Sequence, residues 1–348
     1  MMKVLVCSDY ETLTNRPGGD AECQFFTKEN IEKIESLFDE VVWNKTGRQF
    51  TTEELIENIK DCDAVITCWG SNTFDEEILN NAPKLKIIAH LAGSVAWLVT
   101  PEVFDRGIIV CGANDREFSE SVAEAALLYS IAKLRNLDRS VLRLKKDKAD
   151  GWHDPKIHAK GIFDRNVGIV GFGAIGKYFA GLLQPFHCNI KVFSIYPIEK
   201  EILDKYKMEQ VGLEELFKTC DVVSLHTAWN KQTEKMVSRE LIRSMKDGAV
   251  FVNTARGRIV DEEALIDELK TGRISAALDV YWNEPLSSDS PLYEMDNVMV
   301  MDHRGGPTHD RYPHIASNMI DDVYNYLKNG VVPDSKIEKE RALSMTLS

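Results

Sequence analysis

Apolar and polar positions along the chain fall into two kinds of block. Short runs of apolar, often β-branched residues read as strands buried on both faces, and longer stretches with apolar positions three and four apart read as helices. Up to residue 114 this predicts strands at Lys3–Cys7, Glu40–Trp43, Ala64–Thr67, Leu85–Ala89 and Ile108–Val110. Helices are predicted at Lys28–Leu37, Thr52–Lys60 and Asp75–Asn80, the second opened by Thr51 or Thr52 as cap with Glu54 close behind. The longest helical pattern, Glu117–Leu137, sets Val122, Ala125, Ala126, Tyr129, Ala132 and Lys133 on one face and leads into a second series. Lys145–Gly161 is polar, holds Gly, Trp and Pro, and is expected to be an irregular arm. From Asn166 onward strands are predicted at Val167–Val170, Ile190–Phe193, Val222–Leu225, Ala249–Asn253 and Ser275–Leu278, with helices between them, including Lys177–Leu183, Ser238–Met245 and Glu262–Thr271. Gly248 and Gly272 sit where helix ends need a positive φ. After Val298–Met301 a glycine-rich turn leads to a helix at Asp310–Lys328, and residues 331–348 are expected to be peripheral. Alternation of this kind specifies an α/β protein with parallel sheets, whose ligands sit at the carboxyl ends of the strands.

One junction carries a chemical signal. Val167–Val170 runs straight into Gly171, Gly173 and Gly176, in the spacing G-x-G-x-x-G, and a helix follows. Strand, glycine turn and helix in that order form a dinucleotide fingerprint. Gly171 permits the tight turn, Gly173 lets a pyrophosphate approach the backbone, and Gly176 lets the helix lie against the strand. The residues Gly171, Gly173, Ala174, Ile175 and Gly176 are therefore assigned to the cofactor, whose phosphates would meet the free N–H groups of the helix start.

Composition narrows the field further. A length of 348 residues suits two domains, and 44% hydrophobic with 28% charged residues is ordinary for a globular protein. A formal charge of −13 opposes non-specific binding to nucleic acid or to an anionic membrane, because the long-range field is repulsive. No apolar run approaches membrane-spanning length, and Met1–Ser8 is too short for a signal-peptide core. The seven cysteines (Cys7, Cys23, Cys62, Cys68, Cys111, Cys188, Cys220) are scattered and never spaced C-x-x-C. They read as reduced thiols in a cytoplasmic protein, with no metal site expected.

The stretch Asn253-Thr-Ala-Arg-Gly257, then Asp261-Glu262, Ala264-Leu265, Leu278-Asp279-Val280, Glu284-Pro285 and His303, resembles the D-isomer-specific 2-hydroxyacid dehydrogenases. The fingerprint lies the expected distance upstream, and Lys84–Val110 and Ser121–Arg135 match the same pattern, so the likeness spans nearly the whole chain. It implies a Rossmann-type nucleotide-binding domain at residues 115–304, inserted into a split, flavodoxin-like substrate domain made of residues 1–114 and 305–348, with the active site in the cleft. It also implies NAD as cofactor, a 2-keto or D-2-hydroxy acid as substrate, and a homodimer. Arg256, Glu284 and His303 form the implied catalytic set.

The chemistry suits those residue types. A guanidinium at Arg256 can fork to a carboxylate and stabilise charge on a keto oxygen, the alternative being a surface ion pair. An imidazole titrates close to neutrality, as an acid/base at His303 requires, and Glu284 would orient it and favour its charged form. By the same resemblance Asp279 lies at the nicotinamide end, its alternative being a turn cap. His226, Thr227 and Thr233 line the cofactor loop, and Thr254 and Ala255 complete the cofactor set. Ala92 and Gly93, in the loop Leu91–Ser94, hold the substrate carboxylate through backbone N–H groups, with Arg256 and His303 as its other contacts.

The departures from the pattern matter as much. Tyr196 stands where an acidic residue is expected to hold the ribose, which weakens the preference for NAD, although no arginine lies between Ser194 and Glu199 to hold a 2′-phosphate. NAD is still expected, with NADP not excluded. The family's Gly-x-Gly-x-Asp becomes Ala92-Gly-Ser-Val-Ala96, and its Thr-Pro before the histidine becomes Met301-Asp302. The cofactor loop carries Ala228 and Trp229 in place of a proline and smaller residues. A rival from another class is an NAD(H)-sensing regulator of the corepressor kind, built on the same fold with little turnover.

Overall fold

In the computed structural model, residues 1–14, 25–113, 116–152 and 158–345 are described. Cys23, the expected domain boundary at 114/115, residues 153–157 of the expected arm and the last three residues of the tail lie outside them. The chain divides into two compact units, Met1–Phe118 with Pro307–Ser348, and Ser119–Gly306.

In the first unit five strands, β1 (Lys3–Asp9), β2 (Glu40–Asn44), β3 (Ala64–Thr67), β4 (Ile87–His90) and β5 (Ile109–Gly112), pair in parallel in the order β2-β1-β3-β4-β5. This is the flavodoxin-like order. The strands alternate between two cores. Leu5, Val65, Ile88 and Val110 face one side, while Val4, Val6, Ala64, Ile66, Ile87 and Ala89 face the other, where the helix Tyr312–Asn329 packs Ile315, Met319 and Ile320. Both faces are buried, which explains the near-continuous apolar runs. The helix Thr52–Ile59 opens with a full capping box, Thr51 accepting from Glu54 N–H and Glu54 accepting from Thr51 N–H. Such a cap stabilises a helix by about 1 kcal/mol.

The second unit is a seven-stranded parallel sheet in the order β12-β11-β10-β9-β6-β7-β8. Its strands are β6 (Asn166–Val170), β7 (Asn189–Phe193), β8 (Met208–Gln210), β9 (Val222–Leu225), β10 (Val250–Asn253), β11 (Ser275–Leu278) and β12 (Val298–Val300). The first strand in sequence, β6, lies in the middle between β7 and β9. That is the Rossmann arrangement, and the order of strands reverses at β6/β9. The fingerprint helix Ala174–Leu183 buries Phe179, Ala180 and Leu183 against Val167 and Ile169 of β6.

Three expectations need correction. The long helix runs Arg116–Leu134 and stops at Asn136, whose φ of 50° is left-handed, and a second helix follows at Leu137–Asp147. The arm is therefore helical as far as Asp147, with a 3-10 turn at Lys148–Gly151; the high density of charge in that stretch hid its period of Leu137, Val141 and Leu144. The tail is not peripheral. Ile337 donates its N–H to Val110 O at 2.8 Å, and Ile337 and Ala342 are buried in the core beside Leu5 and Val110. Finally β8, Met-Glu-Gln, has no apolar run and was unpredicted; pairing with Ile190–Val192 of β7 makes it a strand.

Candidate active site

The fingerprint turn lies at the carboxyl end of β6, beside the carboxyl end of β9. Gly171 has φ +99°, and a Cβ there would lie 2.8 Å from the backbone of His226 and Thr227. A Cβ at Gly176 would lie 2.4 Å from Gly171 O, so only glycine lets helix and strand meet. Gly173 differs. It is the N-cap of the helix, no side chain caps it, and a Cβ there would meet nothing within 4 Å. Two glycines are thus required by the protein's own packing, while the third keeps open the space before a helix N-terminus.

Close by, His226 Nδ1 and Thr254 Oγ1 are buried without a hydrogen-bond partner among the described residues. Buried polar atoms are rarely left so. His226 Nε2 is held by Ser224 Oγ at 2.9 Å, the ring lies 4.7 Å from that of Phe179, and burial pulls its pKa down to about 3, so the imidazole is neutral. Thr227 contributes backbone to the wall against Gly171. Thr233 accepts from Asn230 N–H at 2.8 Å and donates to Ala228 O at 2.7 Å, folding the loop on itself. The open glycine cradle, the uncapped helix start and these unpartnered atoms fit a dinucleotide.

Arg256 follows β10 by way of Thr254 and Ala255. Asn253 shapes the turn, its Nδ2 donating to Arg256 O at 3.1 Å and its Oδ1 accepting from Ala255 N–H at 3.0 Å. Gly257 presses on the next segment so closely that a Cβ would fall 1.9 Å from Tyr281 C. The Arg256 side chain is half-buried and its Nη1 donates to Ala255 O at 2.7 Å. Burial lowers its pKa from the ordinary value, and the Glu284 carboxylate opposes that.

Glu284 and His303 form a direct pair, Nδ1 to Oε2 at 2.6 Å. The other oxygen, Oε1, accepts from Tyr281 N–H at 3.0 Å. Burial raises the Glu284 pKa, but the His303 bond, the Tyr281 N–H and the charges of His303 and Arg256 outweigh it and hold the carboxyl below its ordinary range. An ionised carboxylate only accepts, so Nδ1 carries the proton in this bond. His303 Nε2 has no protein partner among the described residues and is the ring atom left to exchange a proton.

Two side chains hold this loop in place. Asp279, buried at the end of β11, accepts from Arg304 N–H through Oδ1 and from Gly305 N–H through Oδ2, both at 2.8 Å, with Tyr129 OH 3.4 Å from Oδ1. A Cβ at Gly305 would lie 2.7 Å from Asp279 Oδ2. Tyr281 was missed by sequence reasoning. Its hydroxyl lies 2.8 Å from both Leu278 O and Met301 O and accepts from Met301 N–H, tying β11 to the approach to His303. An aromatic residue just after Asp279-Val280 was the available signal. Asp302 forms an ion pair with Arg304 at 3.0 Å, so its charge is matched locally.

Tyr196 lies beyond β7 and is 73% exposed. Ala92 and Gly93 belong to the first unit, in the loop after β4; Ala92 is buried and its carbonyl accepts from Ala113 N–H at 3.1 Å. Arg256, Glu284, His303 and Asp279 are gathered at the carboxyl edge of the second sheet.

A family model described as D-isomer specific 2-hydroxyacid dehydrogenase, NAD binding domain, matches residues 126–305. A glyoxylate reductase of Korarchaeum cryptofilum is 32% identical over 324 residues, covering 91% of this chain and 96% of its own. A crystal structure of a Thermus thermophilus protein superposes with TM-score 0.77 at 26% identity, covering 97% of this chain and 100% of that one. The apo D-mandelate dehydrogenase of Rhodotorula graminis shares the fold with TM-score 0.81 at 22% identity, over 97% of this chain and 98% of its own.

Proposed function

The chain belongs to the family of D-isomer-specific 2-hydroxyacid dehydrogenases, and from that premise we propose that it reduces a small 2-keto acid of the glyoxylate type with NADH, with Arg256, Glu284 and His303 as catalytic residues. The family transfers a hydride between NAD(H) and 2-keto or 2-hydroxy acids. The observation that carries the residue assignment is the 2.6 Å pair between Glu284 and His303, with Nε2 left open and Arg256 close enough for its charge to act on Glu284.

Bound NADH supplies the hydride. Gly171, Gly173, Ala174, Ile175 and Gly176 would hold its pyrophosphate, and His226, Thr227, Thr233, Thr254 and Ala255 would line the rest of its site. The Arg256 guanidinium grips the substrate carboxylate and offsets the negative charge that grows on the keto oxygen. His303 enters protonated and gives the Nε2 proton to that oxygen, while Glu284 holds Nδ1–H and stabilises the imidazolium. Asp279 serves this site through the loop it holds, by its two bonds to Arg304 and Gly305 N–H. Backbone N–H groups around Ala92 and Gly93 are the proposed second grip on the carboxylate, with residues 1–114 and 305–348 as the substrate domain and 115–304 as the nucleotide domain.

We further infer a homodimer in the cytoplasm. The helix Leu137–Asp147 buries no residue and exposes Leu137, Val141 and Leu144 on one side, an apolar face suited to a second copy. The described cysteines are free thiols, which fits a reducing compartment. The test is NADH oxidation against a panel of 2-keto acids, glyoxylate first. Steady turnover that is lost in Arg256→Gln supports the reading. Tight NADH binding with negligible turnover on every acid overturns it in favour of a regulatory role.

A further inference from the structure

Two residues past Arg256, the guanidinium of Arg258 lies over two indole rings, 5.0 Å from the centroid of Trp229 and 5.5 Å from that of Trp282. Its Nε also donates to Trp282 O at 3.3 Å. Lys235 Nζ lies over the Trp282 ring at 4.9 Å, and Lys235 N–H donates to Arg258 O at 2.9 Å from a left-handed backbone with φ 52°. Trp282 is itself fixed, its Nε1 donating to Val260 O at 2.6 Å and its N–H to Glu262 at 2.9 Å. Trp229 donates to Glu234 at 3.2 Å.

The three segments joined by this stack are those of the proposed site. Trp229 sits in the loop 226–233, Arg258 in the turn that carries Arg256, and Trp282 two residues before Glu284. Cation–π contacts are directional enough to fix one segment on another and survive partial exposure. A plain ion pair at half-exposed positions would do less.

We propose that Arg258 is a positioning residue, which through Trp229 and Trp282 locks the cofactor loop and the Arg256 turn onto the segment carrying Glu284. The role rests on the function proposed above. It makes cofactor binding and the placement of Arg256 depend on a cation that lies outside the proposed catalytic and cofactor-binding residues.

The experiment compares the wild type with Arg258→Met, which keeps the stem and removes the cation, Arg258→Lys, which keeps a cation, and Trp229→Leu, which enters the stack from the loop side. Indole emission, the NADH dissociation constant, kcat, the keto-acid KM and Tm are measured for each. Arg258→Met and Trp229→Leu are expected to shift the emission, weaken NADH binding and lower kcat, each by about tenfold, as fits the loss of one or two such contacts. Arg258→Lys should recover most of both losses. A stack that only stabilises the fold would lower Tm and leave kcat and NADH affinity at wild-type values in the folded variants, which overturns the proposal. Equal losses in Arg258→Lys and Arg258→Met overturn it as well. If Arg258→Met does not fold, Trp229→Leu carries the same decision. If the wild type turns over no keto acid, the functional reading fails by itself, and NADH affinity and emission of the same variants still decide whether the stack orders the loop.

Discussion

The glycine turn after β6 and the loop around His303 belong to one unit but are built on opposite principles. The turn is shaped by absent side chains. Gly171 and Gly176 are needed because any Cβ would strike backbone at 2.8 Å and 2.4 Å, and the result is open space in front of Gly173. The His303 loop is shaped by side chains that reach back to backbone. Asp279 takes the N–H groups of Arg304 and Gly305, Tyr281 clasps Met301, and Glu284 holds the ring. His303 itself has φ +57°, a left-handed conformation that a non-glycine residue adopts only when its surroundings impose it. The proposed binding region is thus made permissive by deletion, and the proposed catalytic region is made rigid by ties from elsewhere in the chain.

Substitutions in the two regions should therefore fail differently, and the largest effect belongs to the reacting one. His303→Gln removes the proposed proton donor while keeping a side chain that can bond Glu284. Keto-acid reduction should fall on the order of a hundredfold or more, with NADH affinity unchanged in a fluorescence titration. A variant that keeps most of its kcat removes His303 from the mechanism. Gly173→Val is the counterpart in the turn. Nothing lies within 4 Å of its Cβ position, so the fold and Tm should persist. NADH affinity should fall on the order of a hundredfold, about the worth of one or two charge-assisted hydrogen bonds. Normal binding by the folded variant would mean that the cradle holds no pyrophosphate.

The same contrast explains what the sequence made legible. The turn, its strand and its helix are contiguous, so the spacing and its two flanks together specified Gly171, Gly173 and Gly176. Two parallel sheets followed from apolar runs at Val4–Val6, Ala64–Thr67, Val222–Leu225 and Val250–Asn253, each buried on both faces, while their flavodoxin-like and Rossmann character came from the family resemblance. Glu284 and His303 could be paired only through the family resemblance, because 19 residues separate them and no local pattern joins them. Asp279 was expected near the nicotinamide, and its carboxylate is occupied by two backbone amides 25 and 26 residues away, a partnership with no trace in local sequence. Tyr281 and the Arg258 stack went unread for the same reason. The helix Leu137–Asp147 was missed because the charge density of its sequence hid the period of Leu137, Val141 and Leu144. Asp302, which departs from the family's pattern just before His303, pairs with Arg304, a bond between neighbours that only side-chain placement discloses.

Asp279→Asn sharpens the comparison at a smaller scale. An amide offers one oxygen where the carboxylate offers two, so either Arg304 or Gly305 N–H must face an NH2 group. The cost should be about 1–3 kcal/mol, read as a lower Tm, with kcat falling more than NADH affinity. If affinity falls as much as kcat, Asp279 touches the cofactor directly and its role as a tie is wrong. Glu284→Gln tests the pair by pH. The Glu284 carboxyl lies below its ordinary range in the folded protein, so its stabilising contribution is complete above the pH where a free glutamate titrates. That contribution is lost as pH falls through the lower, folded value. The variant should lack this acid-side dependence of Tm. Coincident profiles for the two proteins would break the pairing.

The smallest expected effect lies at the rim of the permissive region. Tyr196 follows β7, is 73% exposed, and its loop is held by backbone contacts that the side chain does not make. Gln210 Nε2 donates to Ser194 O at 3.3 Å and to Tyr196 O at 3.0 Å, and Gln210 Oε1 accepts from Ile198 N–H at 2.9 Å. Replacing the side chain therefore leaves the loop in place. In Tyr196→Asp a carboxylate stands where the ribose is expected, able to accept hydrogen bonds from a diol and to repel a 2′-phosphate. A phenol can do neither with comparable strength. The ratio of kcat/KM for NADH over NADPH should rise by about tenfold, the value of one charge-assisted bond at an exposed position, with kcat for NADH and Tm close to wild type. The measurement is steady-state reduction of one keto acid with each cofactor in both proteins. A ratio that stays put would mean that the ribose is recognised elsewhere, and a ratio that moves toward NADPH would place the 2′-hydroxyl away from residue 196 altogether.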